Sequence, residues 1–396
     1  MFLNKDEERM LQGEQGAIVQ KSMKILVTLG DVFEAERMEK VQSAHVSGIS
    51  YKNNGDPALE FLEDWANNGA KTRVYTTINP SGMDMTRWRE FGISEPFAKK
   101  QIRVINAFKQ MEIKKSLSCT PYIIGNKPQF NDHIAWAESS AVAYANSILG
   151  AKTNREGGPT ALASAITGKT PMFGYHLDEN RNPSHEIYIT DPVNGVLEYS
   201  TLGYYVGKHL GHCIPYFKNL TQPNIDELKA LCAGLAASGS VALFHIHNLT
   251  PEEKLFRDKS YEKIEVEKRN LIETRTELSI EEGKEHICIG CPHCSIREMA
   301  EIARRVGGKK VKRELWVFTS STICKEAKQK GYVDVIERAG GKVISDTCMV
   351  VSPMKDMGVQ GVITNSCKAA HYIPNTCELP VALKNLNMCI KVALGK

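Results

Sequence analysis

At 396 residues, with 42% hydrophobic and 24% charged side chains, the chain is long enough for about two to four domains with real cores. Its 30 glycines and 16 prolines are close to average usage, which excludes collagen-like, linker-like and broadly disordered chains. Lys and Arg total 50 against 46 Asp and Glu, and a formal +4 falls far short of a general nucleic-acid binder, leaving room only for a local basic pocket.

The N-terminus turns acidic at Asp6, Glu7 and Glu8, where a secretory signal would place its apolar core. The same residues suit the first turn of a helix over residues 4–12, with Asn4 as its N-cap. Residues 24–30 read as an apolar strand or a buried helix, a choice periodicity does not settle. Leu59, Phe61, Leu62 and Trp65 predict a helix over 58–68, and residues 72–78 predict a strand stopped by Asn79-Pro80. An Ala-rich helix is expected over 132–149 and a buried strand over 240–247. The most apolar window, 231–244, is broken by Gly234, Ser238, Gly239 and Ser240 and is shorter than the ~20 apolar residues of a membrane span. A soluble, cytoplasmic chain is the expectation, and its 11 cysteines then predict free thiols, metal ligation or buried packing rather than a disulfide framework. Dense mixed charge over 251–285 predicts a solvated helical face and marks a candidate domain boundary. Beyond it, 314–318, 342–345 and 359–364 are short β-branched runs separated by helical stretches, the pattern of a parallel sheet.

The segments that follow those three strands carry chemistry: Thr319-Ser320-Ser321-Thr322, Asp346-Thr347-Cys348 and Asn365-Ser366-Cys367-Lys368. Ligands of parallel α/β sheets sit at the carboxyl ends of strands, so these groups predict one polar crevice, although each Ser, Thr or Asp singly is also an ordinary N-cap. Cys288, Cys291 and Cys294 form a C-x-x-C-x-x-C run ahead of a helix start at Ser295. Its spacing suits soft metals, but the fourth Cys of a ferredoxin would fall at Glu298, and zinc would want a second C-x-x-C or paired histidines. The run alone leaves open which thiol binds, with buried packing as the alternative. Cys119 lies in Ser118-Cys119-Thr120-Pro121-Tyr122, a segment too polar for core. Glu138, Ser139 and Asn146 project near one another on the helix expected over 132–149, and Arg155-Glu156-Gly157-Gly158-Pro159 sets charges against glycines where backbone can approach a ligand. Gly168-Lys169-Thr170 is not the end of a P-loop, because Ala163 stands where Gly is required, and no Ser sits in a G-x-S-x-G elbow.

Taken in order, these segments resemble the large subunit of the aconitase X family. The resemblance is carried by Ser43-Ala44-His45-Val46-Ser47-Gly48, Thr76-Thr77-Ile78-Asn79-Pro80, Cys119-Thr120-Pro121-Tyr122, Trp136-Ala137-Glu138-Ser139-Ser140-Ala141, Tyr144-Ala145-Asn146-Ser147, Arg155-Glu156-Gly157-Gly158-Pro159, Phe173-Gly174-Tyr175-His176-Leu177, Gly290-Cys291-Pro292-His293, Asp346-Thr347-Cys348-Met349-Val350-Val351 and Thr364-Asn365-Ser366. It implies an aconitase-like α/β fold of about three domains around a central cleft, divided approximately at 1–130, 131–284 and 285–396.

The resemblance further implies an iron–sulfur hydro-lyase whose 4Fe-4S cluster is held by Cys119, Cys291 and Cys348, with one iron open to substrate and Cys288, Cys294 and Cys367 dispensable. Together with the polar strand ends it points to Glu138, Ser139, Ser140, Asn146, Arg155, Glu156, Ser320, Ser321, Thr322, Ser366 and Lys368 as contacts for a small anionic hydroxy acid. In the family's archaeal branch that substrate is mevalonate 5-phosphate, dehydrated to trans-anhydromevalonate 5-phosphate for isoprenoid synthesis; the alternative is cis-3-hydroxy-L-proline. A non-catalytic iron–sulfur or zinc scaffold is the reading from another class. The chain ends without the swivelling domain of fused members, so a small partner subunit is expected to complete a heterodimer and to supply a Ser as base. No nucleic acid or membrane is expected among its partners.

Overall fold

The computed structural model describes residues 1–280, 283 and 285–396. The domain limit expected at 284 and part of the charged stretch, Glu281, Glu282 and Lys284, lie outside the described residues. Among the described residues, three parallel sheets organise the chain, with one antiparallel pair between Met38–Lys40 and Lys169–Pro171.

In the first sheet, strands Tyr75–Ile78, Ser43–Val46 and Ala135–Trp136 lie side by side in that order. Parallel neighbours need crossovers of a dozen or more residues, and helices Tyr51–Asn67 and Glu95–Gln110 supply them. Leu59, Leu62, Trp65, Val104 and Phe108 of these helices share a core with Val46 and Ile78. Asn4 caps helix Lys5–Gln12 as expected, and residues 24–30 belong to helix Ala17–Val32. The helix expected over 132–149 begins later, at Ser139, and ends in a π-helical turn, Ala145–Leu149. Its first residues are instead the two-residue strand Ala135–Trp136, too short to register as alternation.

The second sheet has the order His245–Ile246, Pro215–Lys218, His185–Ile189, Glu262–Val266, all parallel. Only two residues of the strand expected over 240–247 join the ladder, although Val241 to Ile246 are buried throughout. The charged stretch, expected to be helical, begins with a short 3₁₀ turn and then forms the edge strand Glu262–Val266 before helix Lys268–Glu277. Charge on an edge strand discourages pairing with other chains, and of its five residues only Val266 is buried.

Helices Val196–Leu210 and Ile225–Gly239 pack backbone to backbone beside this sheet. A Cβ on Gly234 would come 2.3 Å from the Ser200 carbonyl oxygen, and one on Gly203 would come 2.4 Å from that of Leu231. This contact explains why the most apolar window is interrupted by glycine. Gly234→Ala is therefore expected to destabilise the chain by about 1–3 kcal/mol through overpacking, outweighing the roughly 1 kcal/mol by which Ala is the better helix former. A lowered urea midpoint at unchanged slope would show it.

The third sheet is fully parallel, in the order Lys342–Ser345, Leu315–Thr319, His286–Ile289, Val362–Thr364, Val381–Leu383. All three strands expected from the β-branched runs are present. Among the described residues no helix is long and apolar enough to cross a membrane.

Candidate active site where two parallel sheets meet

The loops that leave the first sheet at its carboxyl ends meet those that leave the third. After Val46, Ser50 Oγ donates to the Val351 carbonyl at 2.8 Å. After Ile78, Ser81 Oγ donates to the Asp346 carbonyl at 2.9 Å, and Thr347 Oγ1 returns a bond to the Ser81 carbonyl at 2.6 Å. After Trp136, the Glu138 carboxylate pairs with Lys368, which follows the strand Val362–Thr364. Strand-end crevices usually belong to one sheet; here two sheets close on each other.

Three free thiols lie at this junction: Cys119 ahead of Pro121, Cys291 after His286–Ile289, and Cys348 after Lys342–Ser345. Burial is the main reason their pKa values rise, to about 12 for Cys119 and Cys348 and about 11 for Cys291. The thiols also raise one another, Cys348 acting on Cys119, Cys119 on Cys291 and Cys291 on Cys348, which establishes their proximity. Lys368 opposes this at all three. Among the described residues no three His, Cys, Asp or Glu side chains are placed to hold a single metal ion. A cluster makes a different demand, because each thiolate binds its own iron and the sulfurs stand apart. Three thiols, Cys119 and Cys348 buried and Cys291 half-buried, with a cation beside them fit that donor set.

The other members of the linear run are packed in apolar clusters: Cys288 with Trp316, Phe318 and Ile344, and Cys294, although near enough to Cys119 for that thiol to raise its pKa, with Met299, Ile302 and Val317.

Burial opposes charge on Glu138, yet Lys368, the Ser140 hydroxyl and the Ala141 N–H outweigh it and hold the carboxyl below its ordinary range. Burial likewise opposes charge on Lys368, and Glu138 with the neighbouring thiols keeps its pKa above the ordinary value. Lys368 Nζ also lies 3.5 Å from Ser139 Oγ and 3.3 Å from Ser140 Oγ. Ion pair, hydroxyls and thiols thus form one polar cluster able to receive an anionic, hydroxylated ligand.

Family models for the first, second and third domains of aconitase X match residues 1–179, 183–276 and 284–395. The chain belongs to the aconitase X family. It is 50% identical to the phosphomevalonate dehydratase large subunit of Methanocaldococcus jannaschii, over 99% of this chain and 100% of that one. The crystal structure of aconitase X from Thermococcus kodakaraensis in its holo-form superimposes with a TM-score of 0.93 at 44% identity, covering 99% of this chain and 100% of that one. The cis-3-hydroxy-L-proline dehydratase of Pseudomonas aeruginosa is more distant, 31% identical over 98% of this chain and 69% of its own length.

Within this aconitase X chain the expected contact residues divide. Glu138, Ser139, Ser140 and Lys368 come together as described. Ser366 caps helix Cys367–Cys377, its hydroxyl accepting from the Ala369 N–H at 3.1 Å. Arg155 is exposed on the segment that bridges to Trp136 and has no partner among the described residues, so its guanidinium is free for an anion. Asn146 is a correction. Its amide is used by the scaffold, donating to the Thr153 and Ala242 carbonyls and accepting from the Thr153 N–H, which leaves nothing for a ligand. Ser320 is buried as an N-cap to Ile323, the Ser321 N–H is held by Asp346, and Thr322 is exposed.

Glu156 is buried, with Oε2 accepting from Thr160 and Oε1 without a protein partner. Burial raises its pKa from 4.5 to about 7. A raised carboxyl contributes no penalty below its ordinary pKa, so stability should fall as pH climbs from 4.5 through about 7, by up to about 1.4 kcal/mol per pH unit. Glu156→Gln should flatten that slope, read as a Tm gain over wild type that grows between pH 5 and pH 8.

Three aconitase X residues at the junction were not singled out by the sequence reading. His45 Nδ1 lies 2.8 Å from Thr77 Oγ1, and burial lowers its pKa to about 4, so it stands neutral behind Glu138. His293 sits between the thiol loops, and Lys229 reaches it from helix Ile225–Gly239. His45 and His293 lie inside the quoted motifs, whereas a lysine in an apolar helical window gives no sign of its role.

Proposed function

We propose that this chain is the large, catalytic subunit of a cytoplasmic phosphomevalonate dehydratase, a hydro-lyase that converts mevalonate 5-phosphate to trans-anhydromevalonate 5-phosphate. A 4Fe-4S cluster on Cys119, Cys291 and Cys348 and a small subunit over the crevice complete the enzyme. The observation that carries the reading is the convergence of the three thiols on the Glu138–Lys368 pair, in a chain so close to a named large subunit.

When bound, the cluster supplies a Lewis-acidic iron for the departing hydroxyl and the adjacent carboxylate. The residues of this chain do the rest. Lys368 offsets the negative charge of the thiolates and offers N–H groups to the substrate anion, and Glu138 holds its ammonium in place. Ser139 and Ser140 present hydroxyls beside the same nitrogen. Arg155 supplies a free cation for the remote phosphate, whose binding orients the reacting carbons. Glu138 is ion-paired and His45 is buried with its Nδ1 occupied, so neither is a free base. The family resemblance assigns the base to a Ser of the small subunit, which also excludes water.

The substrate is tested by comparing oxygen-free turnover of mevalonate 5-phosphate, mevalonate and cis-3-hydroxy-L-proline by the reconstituted two-subunit enzyme. The phosphorylated compound should be strongly preferred; equal efficiency with mevalonate, or turnover of hydroxyproline alone, would contradict the reading.

A further inference from the structure

We infer that His293 is the positioning residue that keeps the three thiol loops in register, and that Lys229 anchors it from the helix pair beside the second sheet. The inference rests on the cluster reading above. His293 is 1% exposed and lies two residues beyond Cys291. Its backbone N–H donates to Cys119 Sγ at 3.3 Å, and its Nε2 bonds the carbonyl of Thr347, the residue before Cys348, at 2.9 Å. One residue thus joins all three loops.

The hydrogen-bond pattern assigns the state of the ring. A carbonyl only accepts, so Nε2 carries the proton, while buried Nδ1 has no partner in the protein. The ring thus acts as a fixed strut from the Cys291 loop to the Thr347 carbonyl.

Lys229 secures the other side. Its Nζ donates to the His293 carbonyl at 2.9 Å, and Glu298 and Asp226, the latter at 3.6 Å, balance its charge. Lys229 is itself 1% exposed. Burying an ammonium with two carboxylates is a costly way to hold one carbonyl; it has a purpose where that carbonyl belongs to the residue on which three ligand loops depend. Hydrogen bonds to ligand sulfurs set cluster potentials, and outer-shell partners decide how firmly a metal is kept.

The test uses the full chain reconstituted without oxygen from ferrous iron and sulfide, comparing wild type with His293→Gln, His293→Asn and His293→Phe. Gln can place an amide N–H near the position of Nε2, whereas Asn is too short and Phe has no donor. His293→Gln should match wild type in iron and sulfide content and in the rate of iron release to a chelator. His293→Asn and His293→Phe should release iron about 10-fold faster, with a shifted cluster potential. Should Phe prevent folding, the smaller polar Asn still carries the comparison. Wild-type release from His293→Asn, or release from His293→Gln as fast as from His293→Asn, would overturn the proposal. A wild-type chain that takes up no iron and sulfide would instead overturn the cluster reading itself.

Discussion

Cys119→Ser, Cys291→Ser and Cys348→Ser should each abolish cluster incorporation and activity, while Cys288→Ala and Cys294→Ala leave iron and sulfide near wild-type content. The contrast follows from where the side chains lie. The first three sit at the junction beside Lys368 and raise one another's pKa. The other two fill separate apolar clusters with Trp316 and with Met299. Truncating those two should cost stability, about 1 kcal/mol or somewhat more for a small buried side chain, and should not touch the ligand set. Because the three thiols are protonated at neutral pH in the metal-free chain, loading should also release protons and should weaken as the pH falls. Iron and sulfide analysis of the purified variants decides between this set and the linear run. Loss of cluster in Cys288→Ala or Cys294→Ala with Cys119 dispensable would restore the ferredoxin-like reading.

Lys368→Met should lower kcat/KM by about 100-fold or more, the scale seen when one preorganised charge-stabilising donor is removed. Two effects combine in that loss. The substrate anion loses its N–H donors, and Glu138, still buried against Ser140 and Ala141, loses the ammonium that keeps it ionised. Its pKa should then rise, because burial is the largest influence left acting on it. Lys368→Arg should not restore activity, since a planar guanidinium cannot occupy a slot shaped by one carboxylate and two serine hydroxyls as a compact ammonium does. Cluster content should stay near wild type in Lys368→Arg, which keeps a positive charge beside the thiols, so its loss of activity separates substrate handling from metal binding.

Half of the site could be read from the residues because it lies at the ends of ordinary strands. The β-branched runs before Ser320, Asp346 and Asn365 are long enough to register as strands, and the segments that begin at Asp346 and Asn365 carry Cys348 and Lys368. The other half was hidden. Ala135–Trp136 is two residues long and runs into a helix, so the strand that delivers Glu138 reads as the start of that helix. Asn146 shares the helical segment that begins at Ser139, but its spacing could not reveal that the Thr153 and Ala242 backbone had taken its amide. Choosing Cys291 from a run of three thiols required family resemblance, since the run has no local asymmetry; the packing of Cys288 and Cys294 into apolar clusters now supplies a physical reason. Lys229 illustrates the general limit. Its partners Glu298 and the His293 carbonyl lie 69 and 64 residues away, and only the packed helix pair brings them together.

The most direct measurement is oxygen-free incubation of mevalonate 5-phosphate with this chain, with a purified small subunit, and with the two recombined, following loss of one water by mass spectrometry. Formation of the anhydro product by the recombined pair, with little or none from either subunit alone, is the predicted result. No dehydration by a recombined pair that carries its full complement of iron and sulfide, or full activity of this chain alone, would contradict the account.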